Sequence, residues 1–261
     1  MKVDVAFTAD EVQYKDKQNR IGVVIDVLRA TSSAIVALKN GCSTFIPITT
    51  IDEAREMARK FERAKVLLGG AKRGVKVEGF DLGNSPNDYK EEIVTGKTII
   101  FTSSNGTKAM HELKGAEEVL VASFLNVSAV CNELLSLKSD VLIACSGDFG
   151  VFSLGDAVCA GMIIDNVSEH LSGGVERSDA ATVAQMVYRF HKKDIRGMLF
   201  RSEWGQHLIG LGLSGDIDTC SEIDSAPIVP RFKEGVIRAN QTMSLLEGEP
   251  PGRGGRQGKN R

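Results

Sequence analysis

The sequence predicts an α/β fold, a mostly parallel sheet with helices on both faces, followed by a helical C-terminal part. Three observations predict it. Apolar strand-like runs alternate with helical patterns from Val3 to about Ser172, the βαβα order that builds a parallel sheet covered by helices. The run Gly22-Val-Val-Ile25 has only apolar or small residues, as a buried strand requires. After about Ser172 the pattern changes, and helical stretches dominate.

In chain order, Met1-Lys-Val-Asp-Val-Ala-Phe7 alternates and places a strand at Val3–Phe7. Strands follow at Ile21–Val27, Thr44–Ile48, Lys65–Leu68, Thr98–Phe101, Glu118–Ala122 and Val141–Cys145. Helices fit Ser32–Lys39, Asp52–Phe61, Gly106–Leu113, Val127–Leu137 and Leu154 to about Glu169. The second of these is announced by a capping-box pattern, Thr50-Ile-Asp-Glu53. Beyond the core, Asp179–His191 and Ile195–Leu211 read as helices, and the rest is irregular up to Val229-Pro230. The expected organisation is an α/β core at 1–172 holding the site, a helical part at 173–248 packed on it, and a basic tail at 249–261. That tail, Gly252-Arg-Gly-Gly-Arg-Gln-Gly-Lys-Asn-Arg261, has nothing apolar to bury and is expected to be disordered.

The 261 residues suffice for one large or two small domains, and 32 basic against 34 acidic residues give a net charge of −2. This balance gives the body of the protein no means of binding nucleic acid. No apolar run approaches the roughly 20 residues of a membrane helix, and no signal peptide opens the chain. A cytoplasmic location, with no membrane partner, is expected, and a homodimer is the default. The five cysteines are scattered, with no C-x-x-C, so buried reduced thiols are expected. The four histidines lie in helical or amphipathic stretches and read as surface residues.

Ligands of open α/β sheets bind beyond the carboxyl ends of the strands, and five polar clusters fall at such ends. They are Asp26-Val-Leu-Arg29-Ala-Thr31; Gly69-Gly-Ala-Lys72-Arg-Gly74 with Gly79-Phe-Asp81-Leu-Gly-Asn84-Ser85-Pro86; Thr102-Ser-Ser104-Asn105-Gly106-Thr107; Ser123-Phe-Leu-Asn126; and Ser146-Gly147-Asp148-Phe-Gly150 followed by Asp156. Each has a plainer reading. Asp26 can be a turn residue, Asp81 and Asn84 an Asx-turn before Pro86, Asp156 a first-turn charge. Ser104 to Thr107 can cap a helix or offer amides and hydroxyls to a phosphate. The hydroxyl runs Thr31-Ser-Ser33 and Thr102-Ser-Ser104 echo one another, and helix capping is the favoured explanation.

Several phosphate chemistries are excluded. There is no G-x-x-x-x-G-K-[ST], no C-x5-R, and Leu28 stands where an aspartyl-phosphatase motif needs a second Asp. A site of carboxylates, arginine, hydroxyls and backbone amides remains, suited to metal-assisted hydrolysis of a small anionic phosphoester.

Asp26-Val-Leu-Arg-Ala-Thr31, Gly79-Phe-Asp-Leu-Gly-Asn-Ser-Pro86, Ser104-Asn-Gly-Thr107 and Ser123-Phe-Leu-Asn126 together resemble the 2-phosphosulfolactate phosphatase family, from Val3 to about Pro230. The resemblance implies an α/β fold peculiar to that family and Mg2+-dependent conversion of 2-phosphosulfolactate to sulfolactate and phosphate in coenzyme M biosynthesis. On this reading Asp26, Asp81 and Asp156 bind the metal or act as general acid or base, beside Arg29. Thr31, Lys72, Asn84, Ser85, Ser104, Asn105, Gly106, Thr107, Asn126, Ser146 and Gly147 bind the substrate and its phosphate. Gly70-Ala71-Lys72 stands where the family reads Gly-Glu-Arg, and Ser153-Leu-Gly155-Asp156 where it reads Ser-Leu-Glu-Asp. The two missing carboxylates motivate the alternative, a family member that binds a small dianion without hydrolysing it.

Overall fold

A computed structural model describes residues 1–103 and 105–239. Ser104 and the basic tail therefore lie outside the described residues. The chain runs β1 (Lys2–Ala6), β2 (Arg20–Ile25), α1 (Ala30–Lys39), β3 (Thr44–Ile48), α2 (Ile51–Ala58), β4 (Val66–Lys72), β5 (Val75–Lys76) and α3 (Glu91–Val94). It continues with β6 (Thr98–Thr102), α4 (Gly106–Glu112), β7 (Glu118–Ala122), α5 (Val127–Leu137), β8 (Asp140–Cys145), α6 (Leu154–His170) and β9 (Glu176–Arg177). The last part holds α7 (Asp179–His191), α8 (Ile195–Arg201), α9 (Glu203–Gly210), α10 (Ser214–Cys220), β10 (Pro230–Lys233) and β11 (Val236–Ala239).

The fold class is as the alternation predicts, a mostly parallel sheet covered by helices. All strands join one sheet in the order β5-β4-β6-β3-β11-β10-β7-β2-β8-β1-β9. β4, β6 and β3 are parallel to one another, and so are β7, β2, β8, β1 and β9. Between these halves lies the antiparallel hairpin β10–β11, with β11 against β3 and β10 against β7. The C-terminal part thus supplies four helices and also the two central strands. The sequence conceals that hairpin: its strands are four residues each and carry Arg231, Lys233 and Arg238, so no apolar run marks them. Arg231 fixes the hairpin by bonding to Glu118 and Glu133.

Two apolar layers cover the sheet. Val23, Ile25, Phe124, Ile143, Val158 and Ile163 are buried together on the side of α5 and α6. Ile35, Phe45, Phe101, Met110 and Leu113 are buried on the side of α1 and α4. A fully buried Phe such as Phe45 contributes roughly 1.5–3 kcal/mol. α1 touches β7 in one half and β3 and β11 in the other, and so spans the join.

Local signals also resolve. Thr50 caps α2 by accepting from the Glu53 amide at 3.2 Å, while the Glu53 carboxylate accepts from the Thr49 and Thr50 hydroxyls in place of the Thr50 amide that a full capping box would use. The single helix expected over Ile195–Leu211 is two, because Ser202 breaks it and caps α9 through the Gly205 amide at 3.1 Å. All five cysteines are free and buried, and burial pushes the Cys42, Cys131 and Cys220 thiols up to about 12. Among the described residues no helix is long and apolar enough to cross a membrane.

Candidate active site

The turn after β2 is tied by its own hydroxyls. Thr31 Oγ1 donates to the Asp26 carbonyl at 2.8 Å and accepts from the Asp26 amide at 2.9 Å. Ser32 donates to the Val27 carbonyl and Ser33 to the Asn84 carbonyl, both at 2.9 Å. These hydroxyls are clips, not the expected helix caps: the cap position of α1 is Arg29, which makes no side-chain cap bond. A clipped turn holds the Asp26 carboxylate in place, with Oδ1 accepting from the Ala30 amide at 3.1 Å.

Arg29 is 2% exposed. Its Nη1 pairs with Asp216 of α10, and its Nη2 donates to the Gly74 carbonyl at 2.7 Å. Asp216 also accepts from Ser85 Oγ at 2.5 Å and Asn87 Nδ2 at 3.2 Å. Arg29 Nε has no partner, and neither has Asn84 Oδ1, although both atoms are buried. Each such orphan costs roughly 1–3 kcal/mol unless something meets it. Both residues line a cavity with about 30 Å3 of room for water, together with Asp26, Ala71, Arg73, Ser103 and Asn105. Residues following β2, β4 and β6 therefore meet here, drawn from both halves of the sheet.

Behind Asp26, which is the carboxylate that lines the cavity, lie two further acidic residues, Asp156 and Asp148. Asp156, at the start of α6, accepts from the Val27 amide at 2.8 Å, Ser146 Oγ at 3.1 Å and the Gly147 amide at 3.3 Å. Burial raises its carboxyl well above the usual carboxylate range, and the charges of Asp26 and Asp148 add to the shift. Burial likewise raises Asp26, partly offset by the Ala30 and Gly106 amides, Ser146 and the Arg29 charge. Asp148 is pushed up to about 7 by burial and then by Asp26 and Glu203. Three carboxylates feel one another in a poorly solvated space, the setting in which a cation is stabilising. Gly106 makes the approach to Asp26 possible, since a Cβ there would lie 2.6 Å from Asp26 Oδ2.

Two aromatic side chains, Phe149 and Trp204, also line the cavity. Phe149 packs edge-on against Trp204 of α9 with ring centres 5.6 Å apart, and Trp204 stacks on His207 at 4.5 Å. His207 Nε2 lies 3.2 Å from the Arg73 carbonyl. Asn105 Oδ1 accepts from the Phe149 amide at 3.2 Å. Asn105 and Phe149 also line a neighbouring groove of about 290 Å3 with Ser146 and Lys108.

The other residues singled out in the sequence lie as follows. Asp81 stands apart from the cavity: its carboxylate accepts from Arg63 at 2.5 Å and from the Leu68 amide, within β4, at 2.8 Å. Asn126 is fully buried and bonds to the Ser123 amide and to the Val121 and Ile228 carbonyls, each at 3.0 Å, so it ties the C-terminal segment to β7. Lys72 is exposed in the β4–β5 hairpin, and the hairpin cation that lines the cavity, along with Arg29, is its neighbour Arg73. Thr31 and Ser85 support the site without lining it, and buried Thr107 lies with its Oγ1 3.3 Å from Ser103 Oγ. Gly155 faces Leu199, whose Cδ2 would lie 2.9 Å from a Cβ there. The missing carboxylate at 155 therefore points into the core, whereas Ala71 lines the cavity.

Sequence reading misses Asp216, Trp204 and Phe149. Asp216 and Trp204 come from the helical part, and the only available signal for Asp216 is a carboxylate in the first turn of a short helix. Among the described residues no three His, Cys, Asp or Glu side chains are grouped to hold a metal by themselves, and the set Asp26, Asp81 and Asp156 is not brought together. Asp26 and Asp148 offer hard oxygen donors, and the charge of Asp26 adds to the burial that raises Asp148, while Arg29 is already paired with Asp216. That fits Mg2+, which uses one or two carboxylates and completes its shell with phosphate oxygens and water.

A family model described as 2-phosphosulpholactate phosphatase matches residues 6–235. A probable 2-phosphosulfolactate phosphatase of Clostridium acetobutylicum is 38% identical over 237 residues, 91% of this chain and 100% of the relative. Proteins with the same description from Clostridium novyi (39% over 232 residues, covering 89% and 97%) and Symbiobacterium thermophilum (41% over 221 residues, covering 84% and 93%) are also similar. With the match spanning both halves of the sheet and every wall of the cavity, the chain belongs to the 2-phosphosulpholactate phosphatase family.

Proposed function

We propose that this protein hydrolyses a small acidic phosphomonoester in a Mg2+-dependent reaction, nominally 2-phosphosulfolactate to sulfolactate and inorganic phosphate, the chemistry that coenzyme M biosynthesis would require of it. The observation that carries the proposal is the pair of orphaned buried atoms, Arg29 Nε and Asn84 Oδ1, on two residues that line the same cavity as Asp26. A phosphoryl oxygen answers the Arg29 donor, and Arg29 cannot turn away because Asp216 and Gly74 hold its other nitrogens. The Asn84 amide meets a protonated ligand oxygen, or donates if turned over.

Asp26 and Asp148 would hold the cation, whose chemistry is to neutralise phosphate charge as it develops. Asp26 sits within the cavity as base or nucleophile, kept in position by the Ala30 amide and the close Gly106 backbone. Asp156 braces the Val27 amide and the Ser146–Gly147 turn, so its role is support. Ser103 and Asn105 line the wall where the charged oxygens would sit, and Phe149 and Trp204 exclude water above them.

The test is phosphate release from a panel of small phosphoesters with and without Mg2+. Mg2+-dependent turnover of 2-phosphosulfolactate supports the proposal. Absence of turnover on every ester overturns it and leaves the dianion-binding alternative. Recovery of a phosphorylated Asp26 would place the carboxylate as nucleophile, whereas label from solvent entering phosphate directly, with no phosphoenzyme, would make it a base.

A further inference from the structure

β4 and β5 pair through Lys72 and Val75, so the hairpin between them turns on two residues, Arg73 and Gly74. Both have left-handed backbone, φ +50° for Arg73 and +86° for Gly74. A two-residue turn with positive φ at both positions favours Asn or Asp at the first, because these tolerate that conformation and an arginine does not. The backbone of this turn is clamped from two sides: the Gly74 carbonyl accepts from Arg29 and the Arg73 carbonyl is met by His207. Most arginines near carboxylates here are paired, among them Arg29, Arg63, Arg189, Arg196, Arg201 and Arg231. Arg73 lines the cavity and makes no ion pair among the described residues.

An arginine at a left-handed position of a clamped turn, without an ion-pair partner among the described residues and lining the cavity beside Arg29, carries a conformational cost. We infer that Arg73 reads the second anionic group of the substrate, a sulfonate or carboxylate one or two bonds from the phosphoester carbon, while Arg29 holds the phosphate. This rests on the phosphomonoester reading of the same cavity. A fork of parallel N–H donors matches either planar carboxylate or sulfonate oxygens. The inference makes Arg73 a specificity residue, bearing on which ester is taken rather than on bond cleavage.

The experiment compares wild type with Arg73→Asn and Arg73→Lys on 2-phosphosulfolactate and on propyl phosphate, which lacks both the carboxylate and the sulfonate. Arg73→Asn should raise KM for 2-phosphosulfolactate roughly 10- to 100-fold with kcat changed by less than about 3-fold, and leave kcat/KM for propyl phosphate unchanged. Arg73→Lys should fall between. Because Asn suits the turn better, the Asn variant should melt no lower than wild type, an outcome a merely structural arginine would not give. Equal KM values, or equal losses on both esters, overturn the inference. If wild type turns over neither ester, sulfolactate binding by calorimetry separates the two readings: weaker binding confined to the Arg73 variants supports the inference, and unaltered or absent binding overturns it.

Discussion

The Arg29 guanidinium and the Asp216 carboxylate form an ion pair with side-chain exposures of 2% and 4%, joining the turn after β2 to the start of α10. The pair and the Gly74 carbonyl fix both terminal nitrogens of Arg29, which leaves Nε without a partner in a residue that lines the cavity. Removing its acidic half strands a buried charge. Asp216→Ala should cost about 3–5 kcal/mol in urea unfolding. Asp216→Asn, which keeps acceptors for Ser85 and Arg29, should cost less while lowering kcat/KM.

Asp26→Asn separates activity from stability. Turnover should fall by roughly 100- to 10,000-fold. Burial raises the Asp26 carboxyl, so the charged form is disfavoured in the fold, and a neutral isostere relieves it. The Asn variant should therefore melt at or above wild type at pH 8 by calorimetry.

The pH dependence has a definite sign. Asp148 is raised to about 7, from an unfolded value near 4, so the folded chain binds this proton more tightly than the unfolded chain. The stability it contributes is complete below about pH 4 and is lost as pH rises through about 7, by an amount on the order of a few kcal/mol. Asp26 and Asp156 shift in the same direction. Without divalent cations the protein should melt lower at pH 8 than at pH 5. Mg2+ should restore more at pH 8, and Asp148→Asn should flatten the profile.

Asp81→Asn tests the placement of the third carboxylate. Its bonds to Arg63 and the Leu68 amide predict a stability loss of roughly 1–2 kcal/mol in urea. Turnover and Mg2+ dependence should be unchanged. A large loss of turnover with the melting point intact would return Asp81 to the site.

The sequence shows the fold wherever apolar periodicity is strong, as in β2, β8, α6 and α7. It hides the β10–β11 hairpin because short strands held by Arg231 and by a tight turn leave no apolar trace. Of the site, Asp26 and Arg29 are legible since they sit beside an obvious buried strand. Asn126 and Asp81 carry the same polar signature, yet the fold commits them to backbone partners, and nothing local distinguishes a carboxylate serving an amide from one serving a ligand. Arg73 stands next to the Lys72 that the family resemblance suggests, and it is Arg73, in the two-residue turn, that lines the cavity. Asp216 and Trp204 are visible only once distant helices are packed.

The place of β10–β11 in the middle of the sheet has a consequence for synthesis. Asp26 and Asp148 follow strands of one half, while Ala71, Arg73, Ser103 and Asn105 follow strands of the other. The strands that zip these halves together are the last ones translated among the described residues. Before they are made, β3 and β7 lack the strands that join the two parallel halves. A chain cut short before β10 should therefore expose the facing edges of β3 and β7 and lose the strands that hold the two groups of cavity residues in register.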